Sequence, residues 1–429
     1  LSLSATCERL VAARADAGRP ANYYRNTVAK SRTARMSAEE EARVRATAVP
    51  GQFAKCLVAI ALGDKAYPQA EDALDHHYVS QMQLRRFCAA KPSGTLFQLD
   101  KTSGACEPTT PKKAARESRL YTVESVSGQN DGLLEAIFGL AENYAAQALE
   151  RFLRDPAALS EDDRADLAFL VVLQDTRVPG FLDEHADRLE AMATIDTVVA
   201  LNNVRGHKRR EAEDIRSAIL EGKIGPVPAR NLVLRSMFQS LPLALLIKEF
   251  PWMLIRAPRG TFVCSDRPVT RHDPASSDRD SASAWQSSPT VQTTIPLASS
   301  SCLRISTGDT ERLALRTWTS TRAPFRINLR TYGWATRYVY GSSADILEEL
   351  HAYALARPEE VPEPARPHFT IVEDIDKADP AVAARNVARG RPPSIVVPDP
   401  DGTLRAMSYE RIESVEDARR AVSPRARTR

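Results

Sequence analysis

Residues 133–153 place apolar side chains at 133, 134, 137, 138, 140, 141, 145, 148, 149 and 152, a wide stripe along one side of a helix. Ser160-Glu161-Asp162-Asp163 has the spacing of a capping sequence and opens a second helix, which Pro179-Gly180 breaks or kinks. Further helical patterns cover 53–62 after Pro50-Gly51, 181–193, the charged stretch 201–225 through Ile219, and 231–250 with a kink at Pro242. Elsewhere the period shortens to two. Residues 95–99 alternate and run into Asp100-Lys101-Thr102-Ser103-Gly104, a hairpin turn. Residues 252–255 and 261–264 read as a tight hairpin around Ala257-Pro258-Arg259-Gly260, with Ser265-Asp266 at its exit. Strands are predicted at 291–297 and 302–306, and a helix-like piece at 328–340. These patterns predict an α+β fold: a mainly helical body from 75 to about 250, carrying a small antiparallel β-sheet built from 252–306 and the 95–100 strand.

Three regions are expected. Residues 1–70 form a helical N-terminal extension, with Ser37-Ala38-Glu39-Glu40 at capping-box spacing. Residues 71–345 form the core domain. Residues 346–429 are a Pro/Arg-rich C-terminal segment, partly disordered, with a hairpin at 395–407 and five arginines in the last eleven residues. The Ser/Asp-rich stretch 273–290 reads as a mobile loop.

Composition narrows the partners. A net charge of +3 gives no global basic field of the kind that marks a nucleic-acid binder. The six cysteines (Cys7, Cys56, Cys88, Cys106, Cys264, Cys302) include no C-x-x-C pair, against a cysteine-built zinc site and a secreted disulfide framework. The most apolar segment, 237–247, contains Pro242 and is too short to span a bilayer, and no signal peptide is visible. The expectation is a cytoplasmic protein with no membrane partner.

The candidate chemistry centres on Asp75-His76-His77-Tyr78-Val79-Ser80-Gln81-Met82-Gln83-Leu84-Arg85-Arg86-Phe87. A helix starting near Tyr78 would put His77, Gln81 and Arg85 on one polar stripe. His76 and His77 suit metal ligation or general-base work, or else a helix cap and a half-buried hydrogen bond. Gln81 and Arg85 suit a carboxylate or phosphate, or a structural salt bridge. Glu135 and Glu142 lie two turns apart, roughly 10 Å along the axis. Either they supply carboxylates to a divalent metal or they hold Arg85 and Arg177 in place. Asp266, at a strand end, is a candidate ligand or base, or an Asx-turn residue. No Walker loop, G-x-G-x-x-G or G-x-S-x-G occurs. Lys208-Arg209-Arg210, beside Arg205 and His207, forms a small basic cluster, either a solvated helix start or a phosphate contact.

The same stretch resembles the opening signature of a family known as domain of unknown function 4238. That signature typically reads His-His-Tyr-(Val/Ile)-Pro-Gln-x-x-Leu-Arg-Arg-Phe. Leu96-Phe97-Gln98-Leu99-Asp100, Leu120-Tyr121, Arg177-Val178-Pro179, Phe262-Val263-Cys264-Ser265-Asp266-Arg267-Pro268-Val269, Pro296-Leu297, Asn328 and Arg337-Tyr338-Val339-Tyr340 continue the likeness over about 75–342. Ser80 stands where the family usually has proline, and Arg267 where it usually has asparagine. The resemblance implies no established activity. The leading expectation is a metal-dependent hydrolase, a nuclease or phosphoesterase. His76, His77 and Asp266 would be catalytic, Gln81, Arg85, Arg177 and Asn328 substrate-binding, and Glu135 and Glu142 tentative metal ligands. The alternative is a non-enzymatic ligand-sensing or interaction protein in bacterial defence or regulation, its partner an anionic small molecule or nucleic acid.

Overall fold

In the computed structural model the described residues are 50–61, 64–66, 75–89, 94–121, 123–124, 130–131, 133–181, 206–223, 241–274, 290–306, 311–319, 322–362, 394–398 and 404–408, with short pieces between 190 and 204 and positions 309, 416 and 419. The expected N-terminal extension up to residue 49, most of the 273–290 loop and the arginine-rich end lie outside them. The chain divides into two units, 1–181 with 235–367, and 182–234 with 368–429.

The first unit is built as follows. Helix α1 (Gln52–Ala61) precedes a short strand β1 (Asp75–His77). One helical turn α2 (Gln81–Leu84) then tightens into a 3-10 turn over Arg85–Phe87. Strands β2 (Leu96–Asp100), β3 (Cys106–Thr109), β4 (Arg116–Ser118), β5 (Val123–Glu124) and β6 (Asn130–Asp131) lead to α3 (Leu133–Arg154) and α4 (Glu161–Thr176). After α5 (Leu241–Ile247) come β7 (Trp252–Arg256), β8 (Cys264–Ser265), β9 (Thr270–His272), β10 (Gln292–Ala298), β11 (Ser301–Ser306) and β12 (Leu313–Thr317). Helix α6 (Arg322–Trp334), β13 (Tyr338–Gly341) and α7 (Ala344–Ala356) complete it.

Helices α3 and α4 pack together, and α4 is buried nearly all round, with Ala165 and Leu167 through Leu173 all in the core. Its start is fixed by a full capping box: the Ser160 hydroxyl accepts from Asp163 N–H, and the Asp163 carboxylate accepts from Ser160 N–H. Two aspartates of α4, one in its first turn and one in its second, also serve α1. Asp162 accepts from the Gly51 N–H, where φ is +96°, and Asp166 accepts from Gln52 and Phe53 N–H, so the orphan donors of α1 are satisfied from a distant helix. Arg164 ties α4 to the sheet, donating to the carbonyls of Lys248, Phe250 and Arg312 while its guanidinium lies over Trp252.

The fold is α+β, and its sheets exceed the single small one expected from the pattern. One has five strands in the order β12-β7-β11-β10-β9, and its β12–β7 pair is parallel. The other has four antiparallel strands in the order β3-β2-β13-β8. Residues 252–256 and 264–265 therefore do not pair as a hairpin; they enter different sheets. The piece expected to be helical over 328–340 turns from helix to strand after Trp334. Helix α7 covers the four-stranded sheet, where Leu347 and Leu350 join Leu99, Val263 and Val339 in one core. Among the described residues no helix is long and apolar enough to cross a membrane.

In the second unit, Arg209–Leu220 is a helix and Ser394–Pro398 pairs antiparallel with Leu404–Ser408.

Candidate functional site

His76 and His77 sit on a strand, not at a helix start. β1 pairs with β4, His76 opposite Glu117 and His77 opposite Arg116, and Arg116 bonds the carboxylate of Asp75. Strand alternation then separates the two imidazoles: His76 turns inward, 2% exposed, and His77 is half-buried.

The inward side leads to a buried polar cluster. His76 Nδ1 accepts from the Tyr121 N–H at 2.8 Å, and the two rings stack at 5.5 Å. Tyr121 Oη donates to the carbonyl of Arg177 at 2.6 Å. Arg177, at the C-cap of α4 and 1% exposed, donates Nε to the Tyr78 carbonyl at 3.0 Å and pairs with Glu142 at 2.6 Å. With its amide oxygen turned inward, Gln174 accepts from Arg177 Nη2 at 2.8 Å and from the Ser80 N–H at 3.3 Å. Burial opposes the charge of Arg177, but Glu142, Tyr121 and Glu135 outweigh it and hold the guanidinium ionised. Arg177 was expected to grip a ligand; its donors are turned to protein instead.

Glu135 completes the cluster. Its Oε2 is fully buried without a hydrogen-bond partner among the described residues, and burial pushes its carboxyl up to about 7, with Arg177 opposing and Glu142 reinforcing the shift. Glu142, the other tentative metal ligand, is taken by Arg177. Among the described residues no group of three or more His, Cys, Asp or Glu is placed to hold a metal ion.

Asp266 and Asn328 belong to the same unit, and Asp266 is near enough to Tyr78 to help raise the pKa of its phenol. The Asp266 carboxylate accepts from the N–H groups of Thr336, Arg337 and Tyr338 at 2.8, 2.7 and 2.8 Å, and is 5% exposed. It therefore ties the exit of β8 to the turn that starts β13, a connection of some seventy residues rather than a local Asx-turn. Burial raises its pKa against these bonds. Asn328 accepts from the Val263 N–H and donates to the Thr261 carbonyl, holding the segment before β8.

The outward side of β1 leads to a cleft. His77 Nε2 donates to the Lys112 carbonyl at 3.1 Å, which leaves Nδ1 to accept from Gln81 Nε2 at 3.5 Å; Gln81 Oε1 in turn accepts from Arg85 Nη2 at 3.2 Å. Burial lowers the pKa of His77, so the imidazole is neutral near pH 7 and this tautomer is the one the bonds require. Gln81, Arg85, Cys88, Ala89, Gly94, Thr110, Pro111, Lys112 and Arg259 line an open cleft of about 430 Å³. Among the described residues three cations and no carboxylate line it.

Residues 75–345 match the family described as "Protein of unknown function (DUF4238)". The chain belongs to this family. Neither a curated protein nor a solved structure matches it.

The family's opening motif thus supplies both sides of β1, the buried cluster through His76 and the cleft through His77, Gln81 and Arg85. Lys112 and Arg259 escaped the sequence reading as site residues. Each lies in a turn, and only the tertiary fold brings those turns to Arg85.

Proposed function

We propose that the protein binds an anionic small molecule, bearing phosphate or carboxylate, in the cleft beside His77, with Arg85 as the principal contact. The observation that carries this reading is the lining itself: Arg85, Lys112 and Arg259 face one cavity whose wall, among the described residues, includes no acidic side chain. Same-sign charges at close quarters favour an anion of the opposite sign, and a guanidinium meets its paired oxygens in a fork. A volume of about 430 Å³ suits a small ligand. His77 acts by position, since both its nitrogens are engaged and the chain through Gln81 sets the direction of Arg85. The protein is then a ligand sensor of the first unit, and the five free thiols among the described residues (Cys56, Cys88, Cys106, Cys264, Cys302) support a reducing compartment, the cytoplasm.

Calorimetric titration of pyrophosphate and of citrate into wild type and Arg85→Gln tests this. Wild type is expected to bind at least one of them, and Arg85→Gln to weaken that binding about tenfold or more. Binding of neither anion, or equal binding by the variant, removes the reading.

One observation favours phosphoester hydrolysis as a second reading. A carboxyl at about 7, half-buried beside Arg177 and Glu142, is suited to exchange protons near neutral pH. Turnover of a chromogenic phosphodiester that Glu135→Gln abolishes, with anion binding retained, would establish it. No turnover leaves binding alone.

A further inference from the structure

Helix α6 packs against β9 of the five-stranded sheet and carries Arg326 and Arg330 one turn apart. The strand register sets which residues of the neighbouring sheet share a face. Thr270 stands opposite Thr294, and Thr294 opposite Arg304; His272 stands opposite Gln292, and Pro296 opposite Cys302. With side chains alternating along each strand, His272, Cys302 and Arg304 share one face of the sheet.

Arg330 is half-buried there, and no described residue gives it a hydrogen bond or an ion pair. Its surroundings oppose its charge: burial and the like charges of Arg326 and Arg304 push its pKa down to about 10. Cys302 supplies no compensating anion, because burial pushes its thiol up to about 12. Arg304 is already held by Asp309 at 2.7 Å. His272 is held neutral, first by burial and then by Arg330, with Asp273 opposing, at about 4; its ring, too, has no hydrogen bond among the described residues. A half-buried guanidinium beside like charges, with no described carboxylate bonded to it, has lost part of its hydration and gains when an anion joins it.

We propose that Arg330, with the exposed Arg326 and with His272, forms a second oxyanion-binding site, open to solvent where α6 meets the five-stranded sheet, that takes a phosphate group. A phosphate offers acceptors to both guanidiniums and to the neutral imidazole N–H, and its charge relieves the repulsion among the arginines. The site is separate from the cleft. The cleft side of β10 is its Ala298 end, where Ser299 N–H bonds the Arg86 carbonyl, whereas His272 pairs with Gln292 at the other end. Seven residues of strand put about 20 Å between the two.

The test is thermal unfolding of the full chain in the Arg85→Gln background, with inorganic phosphate titrated against sodium chloride at matched ionic strength. Phosphate is expected to raise the Tm beyond the chloride control. Adding Arg330→Gln is expected to raise the Tm in phosphate-free buffer and abolish the phosphate response. No response in the Arg85→Gln protein, or an undiminished response with Arg330→Gln, overturns the site. If that variant does not fold, Arg330→Lys keeps the charge and loses the fork. It should weaken phosphate binding about tenfold, and unchanged binding also overturns the site.

Discussion

Arg177 and Glu142 meet at 2.6 Å with the arginine side chain 1% exposed, so the guanidinium depends on its carboxylate. Two helices, the Tyr78 carbonyl and Tyr121 are joined through it. Removing one member of such a pair strands the other. Arg177→Met is predicted to lower stability by about 3–5 kcal/mol, because it leaves Glu142, Gln174 and the Tyr78 carbonyl short of a donor. Urea unfolding of the variant measures this; a loss below about 1 kcal/mol would mean the cluster does not hold α3 to α4.

Asp266 draws three backbone N–H groups to one carboxylate. Asp266→Ala is predicted to cost on the order of 3 kcal/mol, since those donors lose a charged acceptor inside the protein. Anion binding in the cleft should stay within about twofold of wild type, because the carboxylate faces the β13 turn. A variant of normal stability that no longer binds would put Asp266 in the site.

Glu135 gives a pH signature. Burial raises its carboxyl from 4.5 in the open chain to about 7 in the fold. Between those values the folded state holds more protons than the unfolded one, so this group's contribution to stability is lost as pH rises through the window. Glu135→Gln removes the ionisation. The variant is predicted to gain about 1–3 kcal/mol over wild type near pH 8 and nothing near pH 4. An equal difference at both pH values contradicts this origin.

Ser80 occupies the position where the family usually has proline. Its φ is −55°, close to the value a proline ring holds, and its buried hydroxyl has no hydrogen-bond partner among the described residues. Ser80→Pro gives up the 3.3 Å bond to Gln174 but restricts the unfolded chain. The expected outcome is a rise in stability of about 0.5–1 kcal/mol, read as a higher Tm. A fall would show that the Gln174 bond outweighs the entropy.

Much of this fold is written locally. The Ser160 capping box, the apolar stripe of α3 and the turn after Asp100 depend on neighbours within a few residues, and each forms as the pattern predicts. The failures share a cause. β1 is three residues long and exists because Arg116-Glu117-Ser118, some forty positions on, pairs with it. Residues 252–256 pair with 301–306 and 313–317 rather than with the next strand. Non-local pairing overrode the local helix or hairpin pattern in both places. The polar residues were legible as a set but not in their roles. His76, Arg177 and Asp266 are spent on backbone and buried partners, while His77, Gln81 and Arg85 form a linked chain despite the break between strand and helix.

We propose that His77 works by directing Arg85 at an anion. A double-mutant cycle on pyrophosphate affinity tests it directly, using wild type, His77→Ala, Arg85→Gln and the double variant. His77→Ala is expected to weaken binding about threefold to tenfold, and to have no further effect once Arg85 is gone. Fully additive losses, or a His77→Ala protein that binds like wild type, would contradict it.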